Sequence, residues 1–129
     1  MSVNLIKMLT GINKAKAAIV DAQSKKTRQV AIAVHQTVVI ATPVDKGCAR
    51  GNWLPNVGSP ITTPRLDARD KSGAAIIAEG RGVIARAKPT DKIHFTNNLD
   101  YIGALNDGHS AQAPAGFIQK AIRAAEASV

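Results

Sequence analysis

The chain has 129 residues, enough for one domain with its own core and too few for two. Aromatic residues make up only 3% of it, so the core must be built from Ala, Ile, Val and Leu, and the single cysteine excludes an intrachain disulfide. The formal net charge is +8, and residues 1–50 carry eight basic and two acidic side chains. Such a basic segment indicates an acidic partner or a polyanion, unless it only forms a solvated helix face.

Apolar residues three and four positions apart predict a long N-terminal helix over the first forty residues. The stripe consists of Leu5, Leu9, Ile12, Ala15, Ile19 and Ala22, and it resumes at Val30, Val34 and Val38. Gly11 is a candidate kink. Residues 30–40 are rich in β-branched side chains and also fit a strand, but their alanines favour the helix. Pro43 is expected to end it.

Turn residues dominate positions 42–67, which contain seven glycines and prolines: Pro43, Gly47, Gly51, Pro55, Gly58, Pro60 and Pro64. A short bent strand is predicted over residues 52–57, with Pro55 at a sheet edge or a bulge. The stretch 58–66 is predicted to be an extended, exposed loop. Because it has little to bury, we expect it to become ordered against another subunit.

A second helix is predicted over residues 71–88, with Asp70 or Ser72 as its cap and Pro89 as its stop. Three glycines inside it, at positions 73, 80 and 82, each weaken it by about 1 kcal/mol relative to alanine.

The remaining elements are shorter. Alternation of polar and apolar residues predicts a half-buried strand over residues 92–96. A short helix over residues 100–106 should end at Gly108, and a last helix should run from Pro114 to residue 127. The fold class is therefore α+β, with a long N-terminal helix, a small antiparallel sheet with a long loop, and helices packed on one face, in a single domain spanning 1–129.

Catalytic arrangements do not emerge from these residues. Asp107, His109 and Ser110 are packed too closely in sequence to form a triad. Cys48 lacks the surroundings of an activated thiol, and neither His94 nor His109 has the spacing of a metal site. The sequence therefore predicts no enzyme, no cofactor and no metal.

A dinucleotide-binding fingerprint is also a poor fit. Gly80, Gly82 and Ala85 match its spacing, but Pro89 follows too soon for the helix that the motif requires.

Nucleic-acid binding has partial support from charge. The candidate contacts to DNA or to a partner are Lys14, Lys16, Lys25, Lys26 and Arg28. No zinc-finger pattern and no interleaved aromatics accompany them, so base-specific recognition is not expected. There is also no apolar run long enough for a membrane span, and no secretory signal is recognised.

Two blocks of the sequence carry a recognisable pattern. The first block is Thr-Pro-Val-Asp-Lys-Gly at 42–47, followed by Ala-Arg-Gly-Asn-Trp at 49–53. The second is Asn-Asn-Leu at 97–99 with Tyr101, followed by Gln-Ala-Pro-Ala-Gly-Phe at 112–117. Together the two blocks resemble the neck or tail-completion proteins of long-tailed bacteriophages. The chain departs from the family pattern at four positions, which are Lys46, Cys48, Asp100 and Asn106. The residues that carry the resemblance are Pro43, Asp45, Gly47, Arg50, Trp53, Asn97, Tyr101, Gly108, Pro114 and Phe117.

The resemblance implies a structural virion protein, made in the host cytoplasm, that assembles as a hexameric or dodecameric ring. Such a ring joins the head connector or adaptor to the tail tube or terminator, and genomic DNA passes through its channel without sequence-specific contact. A tail-terminator ring and a small basic DNA-binding protein are the alternatives. Of the two uses of the basic helix, we favour contact with a partner, because a channel that grips DNA would slow its exit. Trp53, Tyr101 and Phe117 are expected to anchor the core.

Overall fold

The structure, a computed structural model, describes residues 2–4 and 20–129. The described residues form a mixed α+β fold with five helices and a small antiparallel sheet. The helices are α1 (Val20–Ala41), α2 (Cys48–Gly51), α3 (Ala74–Ala85), α4 (Ile102–Asn106) and α5 (Phe117–Ala127). The strands are β1 (Ser2–Asn4), β2 (Leu54–Val57) and β3 (Ile93–Thr96). Among these helices, none is long and apolar enough to cross a membrane.

The helix α1 confirms the helical interpretation of residues 30–40. Val30, Val34 and Val38 are all buried, as their spacing of four predicts. The helix ends at Ala41, two residues before Pro43. The predicted stripe from Leu5 to Ile19, with the kink at Gly11, lies outside the described residues. Residues 2–4 form a strand, although the sequence placed them in the helix, because they pair with β3.

The sheet has the order β1-β3-β2, with β3 antiparallel to both neighbours. Pro55 lies on β2, which is an edge strand of the described sheet. The outer side of an edge strand pairs with no other strand, so a residue without a backbone N–H is tolerated there. Residues 52 and 53 do not belong to the strand as predicted, since a helical turn ends at Asn52. The central strand β3 is buried at every position rather than at alternate ones, because the fold covers both of its faces.

The helix α3 begins and ends inside its predicted bounds. Its N-cap is Gly73, whose φ of +78° lies in the left-handed region, and neither Asp70 nor Ser72 occupies the cap position. Asp70 nevertheless satisfies one free donor of the first turn, because its carboxylate accepts the Ile76 N–H at 2.8 Å. Gly80 packs directly against the His35 ring of α1, so this glycine is required for helix contact.

The loop of residues 58–66 is exposed over most of its length, as predicted, but it is fastened to its own chain. Asn98 donates its side-chain amide to the Ile61 carbonyl at 2.8 Å, and Ile61 packs against the core. Arg65 forms a bidentate ion pair with Glu79, in which Nη1 and Nη2 donate to Oε1 and Oε2 at 2.7 and 2.8 Å. The expectation that the domain gains nothing from ordering this loop is therefore wrong.

The C-terminal elements follow the predicted pattern with shorter bounds. Gly108 has a φ of +96° and ends the stretch that contains α4. The helix α5 begins at Phe117 rather than at Pro114, because Gly116 with a φ of +75° forms its N-cap. Phe117 is buried, as expected, whereas Tyr101 is 46% exposed and does not anchor the core.

Candidate functional site

The side chain of Arg50 ties three segments together. Its guanidinium donates hydrogen bonds to the carbonyls of Ile40, Thr42 and Lys71, at 2.8, 2.9 and 2.8 Å. Two of these acceptors lie at the end of α1, where helix carbonyls lack partners within the helix. The arginine therefore closes the C-terminus of α1 and holds the chain before α3 next to it.

Gly47 allows the closest approach of backbone segments in this region. Its φ is +88°, and a Cβ built there would lie 2.5 Å from backbone atoms of Asp70 and Lys71. The Asp70 N–H donates to the Gly47 carbonyl at 3.2 Å. Any other residue at position 47 would push the two segments apart.

Trp53 is fully buried and satisfied at both of its polar groups. Its indole N–H donates to the Thr42 hydroxyl at 2.8 Å, and that hydroxyl donates to the Val38 carbonyl at 2.7 Å. Its own carbonyl accepts the His35 Nε2–H at 2.8 Å. Since a carbonyl only accepts, this bond assigns the proton of the neutral ring to Nε2. Burial lowers the pKa of His35, against smaller opposing effects of the Trp53 carbonyl and Glu79.

The second block meets the first at two points. The Asn97 amide donates to the Ala49 carbonyl at 3.0 Å, from a fully buried position next to β3. The Gln112 side chain pairs with the backbone of Val44 in both directions, accepting its N–H at 2.7 Å and donating to its carbonyl at 2.6 Å. Segments more than 45 positions apart in the chain are thus joined by side-chain amides.

Asn106 acts as a cap for α5. Its carboxamide oxygen accepts the Ile118 N–H at 3.0 Å, within the first turn of α5, and its amide donates to Gln119 at 3.0 Å. Its backbone carbonyl accepts the N–H of Gly116. Asn106 therefore satisfies a donor in the first turn of α5 that has no partner within the helix.

A cleft of about 450 Å³ opens between the two blocks. Its apolar lining comes from Pro43, Val44, Ala49, Leu66, Leu99 and Leu105, and its polar lining from Asp45, Lys46, Cys48, Arg69, Tyr101, His109, Ser110 and Gln112. Of the motif residues, Pro43, Asp45 and Tyr101 lie on this lining, while Gly47, Arg50 and Trp53 hold the segments behind it.

Tyr101 and Cys48 are neighbours in the cleft. Partial burial, a hydrogen bond with Cys48 and the nearby Asp45 raise the pKa of the Tyr101 hydroxyl, while Arg69 opposes them. The Cys48 thiol faces the carbonyls of Arg65 and Leu66 at 3.9 and 3.7 Å. These contacts place the thiol at the base of the loop rather than beside an imidazole base.

The residues weighed for catalysis are distributed over different parts of the fold. His94 lies in the buried strand β3, whereas His109 lines the cleft. Within the described part of the chain, no three His, Cys, Asp or Glu side chains come together in a group that could hold a metal. Gly80 and Gly82 lie in the middle of α3, not at a strand-to-helix turn that could cradle a pyrophosphate.

Of the candidate contacts to DNA or to a partner, Lys25, Lys26 and Arg28 are not among the residues that line the cleft. Lys14 and Lys16 lie outside the described residues. Lys25 is exposed, and Lys26 and Arg28 are partly exposed, all on α1. These three remain candidate contacts on a surface separate from the cleft.

Some residues that build the site were not singled out in the sequence. Asn52 accepts the Arg65 N–H at 2.7 Å and donates to the Arg65 carbonyl at 2.8 Å, which fixes the loop over the cleft. Leu66 and Arg69 were also missed. The signal that could have identified Leu66 is a large apolar side chain in a proline-containing loop, and this side chain is 70% exposed in the structure.

Comparisons with protein families, with curated proteins and with solved structures found no match to this chain. Its function is therefore inferred from the two blocks, from the cleft between them and from the charge distribution.

Proposed function

We propose that the chain is a structural protein of a bacteriophage virion, which forms a ring at the junction of head and tail. The observation that carries the proposal is the meeting of the two resembling blocks. They are separated by more than forty residues in sequence, yet Asn97 bonds to Ala49 and Gln112 bonds to Val44. Residues that resemble one family in two places thus contribute to one part of the molecule.

The tasks of these residues also support a protein that acts by shape. Arg50 spends its donors on three backbone carbonyls, Trp53 is buried with its N–H satisfied, and Gly47 permits a close backbone contact. Groups engaged in this way are not available to a substrate. They are suited to holding a defined surface for assembly.

The proposal includes finer features of the architecture and of the assembly. One is a helical layer on one face of the sheet, supported by the stacking of His35 from α1 on Phe95 of β3, with ring centres 4.8 Å apart. Another is a ring of six or twelve copies between the head connector and the tail tube, with a channel for DNA. The exposed cations of α1 face an acidic rim of a partner in this arrangement.

The oligomeric state of the purified protein tests the proposal. We expect native mass spectrometry and light scattering to give one discrete oligomer, and negative-stain electron microscopy to show a ring with a central opening. A protein that stays monomeric at high concentration, with duplex affinity that falls steeply as salt rises, would instead establish the DNA-binding alternative. Localisation by electron microscopy on virions separates a neck ring from a tail terminator.

A matched pair of variants tests the role of the basic helix. Lys25→Glu with Lys26→Glu reverses two charges on α1, and Lys120→Glu with Arg123→Glu reverses two exposed charges on α5. We expect only the first pair to impair joining of heads to tails, while duplex binding by the wild-type protein stays negligible. Equal effects of both pairs would show that net charge matters rather than this surface.

A further inference from the structure

Two of the most exposed large apolar side chains in the described residues flank the same cleft. Leu66 is 70% exposed and Tyr101 is 46% exposed, and both belong to its lining. Below them, Leu99 is buried and Leu105 is partly buried, so an apolar floor continues between the two flanks. A concave surface with apolar lining and a few polar groups is typical of a binding site, and tyrosine is enriched in interfaces.

The flanks are held in place before anything binds. The backbone of Arg65, next to Leu66, is bonded in both directions to the Asn52 side chain, and its guanidinium is paired with Glu79. Tyr101 forms the N-cap of α4, where its backbone carbonyl accepts the Leu105 N–H at 3.0 Å. A preformed site saves the entropy of ordering these side chains on binding.

The rim of the cleft carries two cations, Lys46 and Arg69, and one carboxylate. Lys46 is exposed and makes no hydrogen bond or ion pair within the described residues, and Arg69 uses only Nη1, on the Leu66 and Ala68 carbonyls. Asp45 is the one carboxylate among the lining residues. Asp70 and Asp91 are not among the lining residues, and their carboxylates accept backbone N–H groups of Ile76 and Lys88. The cleft is therefore complementary to carboxylates.

We propose that this cleft binds an extended acidic segment of a protein partner. One apolar side chain of the segment lies between Leu66 and Tyr101, and neighbouring carboxylates reach Arg69 and Lys46. The volume of about 450 Å³ suits a few side chains of a peptide, since pockets for small ligands span about 300–1,000 Å³. The inference does not depend on the ring, because it concerns a surface of a single copy.

The observations favour this occupant over two others. A nucleic acid would leave the apolar floor unfilled, and no Phe or Trp of the described residues lines the cleft for stacking. A second copy of this chain brings its own net charge of +8 to a rim that carries two cations, which is unfavourable. An acidic peptide satisfies both the floor and the rim.

The single cysteine supplies the readout, since Cys48 lies in the cleft wall and is partly exposed. The probe is a random peptide display library selected on the full-length protein, followed by synthesis of the enriched peptides. We expect enriched peptides to combine net negative charge with one large apolar residue. They should slow modification of Cys48 by a thiol reagent about tenfold at saturation, because only the unbound protein reacts.

Variants then locate the binding surface. Leu66→Ser should weaken binding of the enriched peptides about tenfold or more because it removes an apolar flank of the cleft. Arg69→Glu and Lys46→Glu should each have an effect of about this size, because the reversed charge repels the carboxylates of the peptide. The matched controls are Arg123→Glu on α5 and Ile40→Ser on α1, an exposed cation and an exposed apolar side chain outside the cleft lining. Their affinities should stay within about twofold of the wild-type value. Because Lys46 makes no hydrogen bond or ion pair within the described residues, its variant remains informative if Arg69→Glu disturbs the loop.

Four results would overturn the proposal. The first is a selection that enriches no peptide, or only basic peptides. The second is binding that is equally strong in the cleft variants and in their controls. The third is protection of Cys48 by duplex DNA but not by the acidic peptides. The last is self-association that Lys46→Glu or Leu66→Ser abolishes, which would make the cleft a contact between copies. A ring that fails to form in all variants would count against the proposed function alone.

Discussion

Replacing threonine by valine at two buried positions should change stability in opposite directions. The Thr42 hydroxyl accepts the Trp53 indole N–H at 2.8 Å, so Thr42→Val leaves a fully buried donor without a partner. The Val38 carbonyl keeps a bond, because it also accepts the Thr42 N–H at 3.2 Å. We therefore expect the loss to be that of one unsatisfied donor, about 1–3 kcal/mol.

Thr96 offers the matched control on β3. Its Oγ1 is buried without a hydrogen-bond partner among the described side chains. The Thr96→Val substitution removes an unpaired polar group at almost constant volume, so the free energy of unfolding should stay level or rise by about 1 kcal/mol. Both changes keep a β-branched side chain, so helix and strand preferences contribute little to the difference.

Urea unfolding measures both variants. Trp53 is the one tryptophan of the chain and is fully buried, so its fluorescence reports global unfolding. Because Thr42→Val also changes the surroundings of the indole, the same transition is measured by circular dichroism, which does not depend on the Trp53 fluorescence. A difference of 1 kcal/mol corresponds to about 4 °C in Tm for a chain of this size. If both variants lose the same stability, or if Thr96→Val is the worse of the two, the hydrogen-bond assignment around Trp53 is wrong.

Three further changes test the packing and the charges of the same core. Gly80→Ala should destabilise the protein by about 1–3 kcal/mol, because the added methyl group would overlap the His35 ring. The control Gly82→Ala places its methyl group in open space and should be neutral or stabilising by up to about 1 kcal/mol. Thermal unfolding measures both variants. Burial lowers the pKa of His35, so just below pH 6.5 the unfolded chain binds a proton that the folded protein does not bind. The free energy of unfolding should therefore decrease as the pH is lowered through this range, by up to about 1.4 kcal/mol per pH unit. His35→Gln should flatten this part of the pH profile in urea titrations. Arg50→Lys should lose about 1.5–3 kcal/mol in the same titrations because an ammonium cannot reach three carbonyls in the plane of a guanidinium; an unchanged midpoint would show that these bonds contribute little.

The features that sequence alone predicts correctly here are those governed by neighbours along the chain. The spacing of Val30, Val34 and Val38 identifies the buried face of α1, and the stripe beginning at Phe117 does the same for α5. Gly108 ends the region of α4, and Pro55 lies on an edge strand, because a left-handed φ and a missing N–H are properties of single residues.

The features that only the tertiary structure decides depend on contacts between distant segments. Periodicity predicts β3 as half-buried, but the rest of the fold covers both of its faces, so every position is buried. The glycine at position 80 appears in the sequence as a weakness of α3, whereas its contact with His35 makes it a requirement of helix packing. Hydrogen bonds from side chains to a remote backbone, such as those of Gln112 to Val44, leave no periodic signal. Such bonds bring the two blocks together and form the cleft. Its lining residues therefore could not be predicted from the sequence alone.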